Sequence, residues 1–288
     1  MPAPVFRGTV FAPNTDLYAI DNANRVLERH VFDRKEDGYR LSSTKTFRGK
    51  PLAITYMSVK TGFDFDGVVI TLDTRNIRFI SCPFLDVRRT VYSYGRCTAI
   101  TAVPHTQSLL VVNSETASID VINIYGVPMK RFDLPDILNP GPELMGPASV
   151  ALSTLGEREV VTVASDTGLY VMTVDIDKTK TLILTPRQAM KKTDNFCPIS
   201  VAALNDLLFV ANGSEDEPKI HRYSLSLRDK PPETVVLTEA GEMGESDPVS
   251  ICILKIDQDN FRLGGSRRHD NARGMDLLFY KDFGPEEN

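Results

Sequence analysis

The chain has no tryptophan and only four cysteines among its 288 residues. Tryptophan commonly provides the flat ring that stacks on sugars, so its absence weighs against carbohydrate binding. The cysteines are far apart and form no Cys-x-x-Cys pair, which supports neither a zinc site nor a disulfide framework. Free thiols are therefore expected, with Cys252 as a small buried residue inside the apolar run VSICIL.

Basic residues are not in excess, and long apolar runs are missing. The 33 Lys and Arg against 38 Asp and Glu give a net charge of −5, which argues against general binding to nucleic acid or an anionic membrane. No run approaches the roughly 20 apolar residues of a membrane span. The first residues, MPAPVFRGTVFAP, lack the pattern of a signal peptide, so a cytoplasmic or otherwise intracellular location is expected.

The chain does contain a repeated phrase. Pro198-Ile199-Ser200-Val201 has counterparts whose first residues are 4, 51, 97, 147 and 248, at intervals of 46 to 51 residues. A fixed period of this length is the signature of a repeat architecture. The sequence therefore predicts one domain, 1–288, built from six units near 4–50, 51–96, 97–146, 147–197, 198–247 and 248–288.

The fifth unit shows what each repeat contains. Ile199–Leu204, Leu207–Ala211 and Ile220–Leu227 are short apolar runs separated by polar turn residues, which favours strands over helices. Thr234–Leu237 supplies a fourth run. Four short strands per unit at this period indicate a six-bladed β-propeller, an all-β fold in which small sheets bury their faces against one another.

Two segments depart from this regular pattern. The sixth unit has residues for three strands, the last at Met275–Phe283, and only 284–288 follow it. The two prolines in Met1–Val5 make that segment a poor fourth strand, so a three-stranded last blade with an exposed or partner-covered edge is predicted. Pro186–Asp194, which contains RQAMKK, is the one stretch whose sequence would allow a helical turn.

Two of the repeats resemble a known family. The phrases LLVVNSETASIDVINI (109–124) and LLFVANGSEDEPKIHRYSL (207–225) are similar to the strand–Asn turn–strand unit of YVTN-type propeller repeats. The resemblance implies a propeller fold for the chain.

A polar residue ends the second strand of five units, namely Asp21, Asp73, Asn113, Asp166 and Asn212. The blades of a propeller surround a central channel, and carboxylate and amide oxygens at its mouth would suit Ca²⁺ or another divalent cation. The six-bladed gluconolactonase-like hydrolases use a metal in this channel. A metal-dependent hydrolase of lactonase or esterase type is thus the alternative function. Turn capping by Asp and Asn is the favoured interpretation, and Phe6–Thr9 lacks the acidic ligand of that family.

No motif for catalysis or cofactor binding occurs. The histidines fall in different units without the spacing of a helical zinc site, and there is no nucleophile elbow or phosphate loop; they are His30, His105, His221 and His269. No catalytic, cofactor or metal residue is therefore assigned, and no cofactor is expected under the leading interpretation.

Candidate contact residues lie between the strands. The basic ones are Arg48, Lys50, Arg96, Lys191, Lys192, Arg267, Arg268 and Arg273, which would attract acidic segments to one loop face. Apolar residues occur in two long connections, Leu144 and Met145 in Asp136–Pro147 and Phe196 in Arg187–Cys197. These connections either contact a partner or fold back over the blades. The sequence thus predicts a non-catalytic interaction or scaffold module whose partner is another protein, through an acidic or extended segment.

Overall fold

A computed structural model gives the structure of residues 3–60, 64–93, 95–134, 149–165, 167–176, 182–214, 218–228, 234–243, 247–257, 260–268 and 276–283. The chain is all-β and forms six antiparallel sheets, the blades of a six-bladed β-propeller. The predicted fold class is therefore confirmed. The blades group into two compact units, Met1–Cys97 with Val249–Asn288, and Thr98–Pro248.

The first unit contains blades one, two and six, and each blade is a meander of neighbouring strands. Blade one consists of β1 Phe6–Phe11, β2 Leu17–Asp21, β3 Val26–Asp33 and β4 Gly38–Thr46. Blade two consists of β5 Pro51–Val59, β6 Phe65–Leu72, β7 Asn76–Ser81 and β8 Asp86–Tyr92.

The second unit contains blades three, four and five. Blade three consists of β9 Cys97–Val103, β10 Ser108–Asn113, β11 Ser118–Asn123 and β12 Pro128–Asp133, with a 3₁₀ turn at Pro104–Thr106. Blade four consists of β13 Ser149–Leu155, β14 Arg158–Ser165, β15 Gly168–Ile176 and β16 Leu182–Lys191. Blade five consists of β17 Pro198–Leu204, β18 Leu207–Asn212, β19 Lys219–Arg228 and β20 Thr234–Met243.

Blade six, in the first unit, has three strands, as predicted: β21 Pro248–Lys255, β22 Phe261–Arg268 and β23 Asp276–Phe283. Val5 bonds to blade one, because its carbonyl accepts the amide of Asn22 and its amide donates to Asp21. The N-terminal segment from residue 3 onward therefore does not pair with β23.

Position within a blade decides how hydrophobic a strand must be. Second strands such as β2 and β10 are buried on both faces, and their sequences LYAID and SLLVVN are correspondingly continuous apolar runs. Fourth strands such as β8 and β12 are mostly exposed and carry charged residues. Between blades one and two the buried side chains form one cluster around Tyr18, Ile20 and Ile70. Each blade thus buries at least one face against a neighbour within its unit.

A β-bulge interrupts the pairing of the third and fourth strands in every four-stranded blade. The shifts lie at Arg29/His30, Phe79/Ile80, Val121/Ile122, Val171/Met172 and Arg222/Tyr223. One extra residue on the outer strand bends it and increases its twist. It also changes the alternation of the fourth strand: beyond the bulge, the residues that point to a given face of the sheet are shifted by one position.

One sequence prediction is wrong. Pro186–Asp194 does not contain a helical turn, because β16 continues through Pro186 to Lys191. Pro186 lies at the bulge opposite Met172, where a missing N–H is tolerated. The fourth strand of blade five is likewise longer than predicted and extends to Met243.

Candidate functional site

The polar residues at the ends of second strands bind backbone groups. In three blades a side-chain oxygen accepts the amide of the residue just before the first strand: Asp21 from Val5 at 3.0 Å, Asp73 from Lys50 at 2.9 Å and Asn212 from Cys197 at 2.7 Å. Asn113 instead accepts from the amide of Glu115 in its own turn. Asp166 lies outside the described residues. These contacts support the capping interpretation of this set.

The predicted basic residues lie at one end of their blades, the end at which the first strand begins. Arg48 and Lys50 precede β5, Arg96 precedes β9, and Arg267 and Arg268 end β22. Lys191 and Lys192, in the second unit, occupy the corresponding end of blade four, where Lys191 pairs with Gly168. All except the half-buried Arg267 are exposed, whereas Arg273 lies outside the described residues.

The predicted apolar loop residues have mixed outcomes. Leu144 and Met145, with most of Asp136–Pro147, lie outside the described residues. Much of Arg187–Cys197 is strand rather than loop, and the remainder contains a bridge between Thr193 and Phe196. Phe196 is half-buried and packs with Met190 against the apolar cluster between blades four and five. This connection therefore folds back over the blades.

The outermost strand of blade six has an unusual composition for its position. In other blades a third strand is covered by a fourth, but in the described part of the chain no strand pairs with the outer edge of β23. Its sequence, DLLFYKDF, has the apolar character of a covered third strand. Unpaired N–H and C=O groups beside apolar side chains form a template for another strand.

Side chains of β23 contact blade one. The ring of Tyr280 makes edge-to-face contacts with Phe32 and Tyr39 at centroid distances of 5.6 and 5.2 Å. Its hydroxyl donates a hydrogen bond to the carbonyl of Asp37. Burial raises the pKa of Tyr39 to about 12. These contacts fix β23 although it is the last strand of its sheet.

A cavity of about 280 Å³ lies beside the same strand. Its walls are mainly aromatic and aliphatic, formed by Pro4, Phe6, Leu17, His30, Tyr39, Leu278, Phe279 and Tyr280. All of these residues belong to the first unit. An open strand edge thus borders an apolar cavity large enough for one or two side chains.

A second cluster, which the sequence did not indicate, lies in blade five. Ligand atoms of His221, Glu239 and Glu242 fall within 4.8 Å of one another. The His221 ring is 6.0 Å from that of Phe196 and stacks at 6.1 Å on Tyr223. Burial first, and then the two carboxylates, raise the pKa of Tyr223 to about 12. Lys219 forms an ion pair with Glu242, and this contact lowers the pKa of the carboxyl group.

Within the described residues, no helix is long and apolar enough to cross a membrane. No family model matches the chain, and no curated protein matches it. Similar folds occur in 984 solved chains, so the fold by itself does not specify a function.

Three solved structures illustrate the likeness. The hydrazine synthase of Kuenenia stuttgartiensis superposes with a TM-score of 0.58 and 11% identity over 93% of this chain and 78% of that one. U3-55K superposes with a TM-score of 0.58 and 11% identity over 96% of this chain and 95% of that one. The RRP9 WD40 repeats superpose with a TM-score of 0.57 and 11% identity over 94% of this chain and 90% of that one. At this identity, the chain is similar to these proteins in fold alone.

Proposed function

We propose that this chain is a non-catalytic interaction module that binds an extended segment of a partner protein along the open edge of β23. The observation that carries the proposal is the three-stranded sixth blade, whose last strand is apolar like a covered third strand. A segment adding as a fourth strand satisfies the outer backbone groups of β23, and side chains at alternate positions provide specificity.

The surroundings of the edge define the partner further. The bordering cavity, with Leu278, Phe279 and Tyr280 in its wall, suits an apolar side chain of the bound segment. Arg267 and Arg268 end β22 beside the start of β23, where Arg268 pairs with Asp276. A segment that is apolar at alternate positions and acidic near this end therefore complements the site. The WD40 repeats among the structural neighbours support a binding role for this propeller. An intracellular location is part of the proposal.

The test is affinity purification from the native cells with a photo-crosslinking amino acid at Lys281, an exposed residue of β23. The control carries the same group at Tyr92, which is exposed on the outermost strand of blade two. We expect one partner to be recovered by both proteins and to crosslink only from position 281.

Two results would contradict the proposal at different levels. A partner that is recovered but crosslinks equally or better from position 92 would place the contact away from β23. Failure to recover any stoichiometric partner would remove the interaction function itself. Melting curves of both crosslinker variants must match that of the unmodified protein before either result is accepted.

A further inference from the structure

We infer that His221, Glu239 and Glu242 in blade five bind a divalent transition-metal ion, with Zn²⁺ as the best match. The inference is independent of the proposed interaction function. It rests on a buried histidine whose ring nitrogens have no hydrogen-bond partner among the described residues, on the local register that brings two carboxylates to it, and on the ligand chemistry of the three side chains.

The histidine has unused ring nitrogens. The His221 side chain is about nine-tenths buried, with 10% of its surface exposed. In the part of the chain that the structure describes, neither Nδ1 nor Nε2 has a hydrogen-bond partner. Its Nδ1 lies 3.5 Å from Oε1 of Glu239, beyond normal hydrogen-bonding distance. A buried polar group without a partner is costly, so such a group in a native fold calls for an explanation.

The bulge in blade five positions the two carboxylates. His221 lies directly opposite Glu242, and Tyr223 directly opposite Glu239, because the register shifts between Arg222 and Tyr223. In a regular strand, residues three apart point to opposite faces. The extra residue places both glutamates on the face that carries His221, while Arg222 stabilises the bulge with a 2.8 Å bond to the carbonyl of Ala240.

The donor set and its spacing match zinc. One imidazole nitrogen with two carboxylates suits Zn²⁺ rather than Ca²⁺ or Mg²⁺, which prefer oxygen ligands only. Two ligands on a tetrahedral Zn²⁺, each about 2.0–2.2 Å from the ion, are about 3.4 Å apart. The 3.5 Å between His221 and Glu239 is close to that separation. Glu239 and Glu242 have exposed side-chain fractions of 60% and 50%, so small rotations are enough to complete the site.

Lys219 is the cation that competes with the metal. Its ammonium group pairs with Glu242 and lowers the pKa of this carboxyl group. Zn²⁺ must displace the lysine from Glu242 or share the carboxylate with it. Lys219→Met should therefore tighten zinc binding several-fold, a result that a purely structural role of the cluster does not predict.

The experiment uses the full chain without a polyhistidine tag, stripped with EDTA and titrated with Zn²⁺ against a chromophoric chelator. We expect one ion per chain, with affinity reduced at least about tenfold by Glu239→Gln or Glu242→Gln and more strongly by His221→Asn. His105→Asn is the matched control, because His105 pairs with the carboxylate of Glu159 at 2.7 Å in the same unit. Cys197→Ser controls for binding by the thiol that follows Phe196 in the sequence, since the Phe196 ring contacts His221.

Co²⁺ provides a direct spectroscopic readout. The wild-type chain and both controls should show visible absorption of a four-coordinate Co²⁺ site, and His221→Asn should lose it. The inference is overturned if no ion binds, or if binding survives His221→Asn and Glu239→Gln. It is also overturned if His105→Asn or Cys197→Ser abolishes the spectrum.

Discussion

Arg262 and Asp282 face each other across β22 and β23 and are joined by two hydrogen bonds of 2.5 and 2.7 Å. The guanidinium carbon lies 4.3 Å from the ring centroid of Phe32 and 4.8 Å from that of Tyr280. Arg262 also donates to the hydroxyl of Tyr39 at 3.1 Å. This buried arginine therefore links β23, the outermost strand of blade six in the described part of the chain, to blade one.

Arg262→Met is expected to lower the free energy of unfolding by about 1–3 kcal/mol, since it removes the two-bond ion pair and the stacking on aromatic rings. Arg262→Lys should recover little, because an ammonium group cannot form the same planar pair. The melting temperature measures both effects. Arg268→Ala, an exposed position at the end of the same strand, should change stability by less than about 0.5 kcal/mol. An equal loss at both positions would contradict the assigned role of Arg262.

The repeat period and strand pattern were sufficient to predict the architecture. The run Leu207–Ala211 matches β18, Leu207–Asn212, to within one residue, because a short apolar run between turn residues has few other interpretations. Fourth strands were predicted less well. β16 contains Pro186 and polar residues, and a strand that is half exposed at a bulge carries no alternating signal.

The candidate sites were harder to predict from sequence. His221 and Glu242 are 21 residues apart on neighbouring strands, and only the register brings them together. Glu239 joins them solely because of a bulge, for which the sequence carries no recognised signal. The open edge of β23 was predicted, since counting strands in the last repeat is enough. The cavity beside β23 was not predicted, because it depends on how this strand packs against blade one.

Gly265→Ala is expected to destabilise blade six severely. A Cβ at this position would lie 2.0 Å from the carbonyl oxygen of Ser250, which is backbone of the neighbouring strand and cannot rotate away. Overpacking of this kind should cost about 3 kcal/mol in unfolding free energy, the upper end of the usual range, because a backbone atom must move. In Gly38→Ala the nearest atom is 3.7 Å away, an ordinary contact, so that variant should melt close to the wild type. Normal melting of Gly265→Ala would contradict the close approach of β21 and β22.

Asn212→Ala should destabilise the second unit by about 2–4 kcal/mol, because a fully buried side chain loses several backbone contacts. Its oxygen accepts the amide of Cys197 at 2.7 Å, and its amide group donates to the carbonyl of Asn195 at 2.8 Å. Asn123 is the matched control, since it caps a turn by accepting the amides of Tyr125 and Val127 but is only half-buried. Asn123→Ala should cost about 1 kcal/mol or less in urea unfolding. Similar losses for the two variants would show that Asn212 is only a local turn cap.

The thiol of Cys82 should react slowly with iodoacetamide in the native protein, because burial raises its pKa to about 11. Only the thiolate reacts, and an unfolded cysteine has a pKa of about 8.5. At pH 8 the native rate should therefore be roughly two orders of magnitude below the rate in urea. The native rate should then rise about tenfold per pH unit toward pH 11, whereas the rate in urea levels off near pH 9.

The same shift makes stability depend on pH. A thiol whose pKa is higher in the folded state stabilises that state below about pH 8.5, and this contribution is lost as the pH rises toward 11. Peptide mapping by mass spectrometry separates Cys82 from the other three cysteines, of which the buried Cys252 should react slowest because burial raises its pKa to about 12. A native Cys82 rate that levels off near pH 8.5 would show that the thiol is solvated and would remove its contribution to the pH dependence.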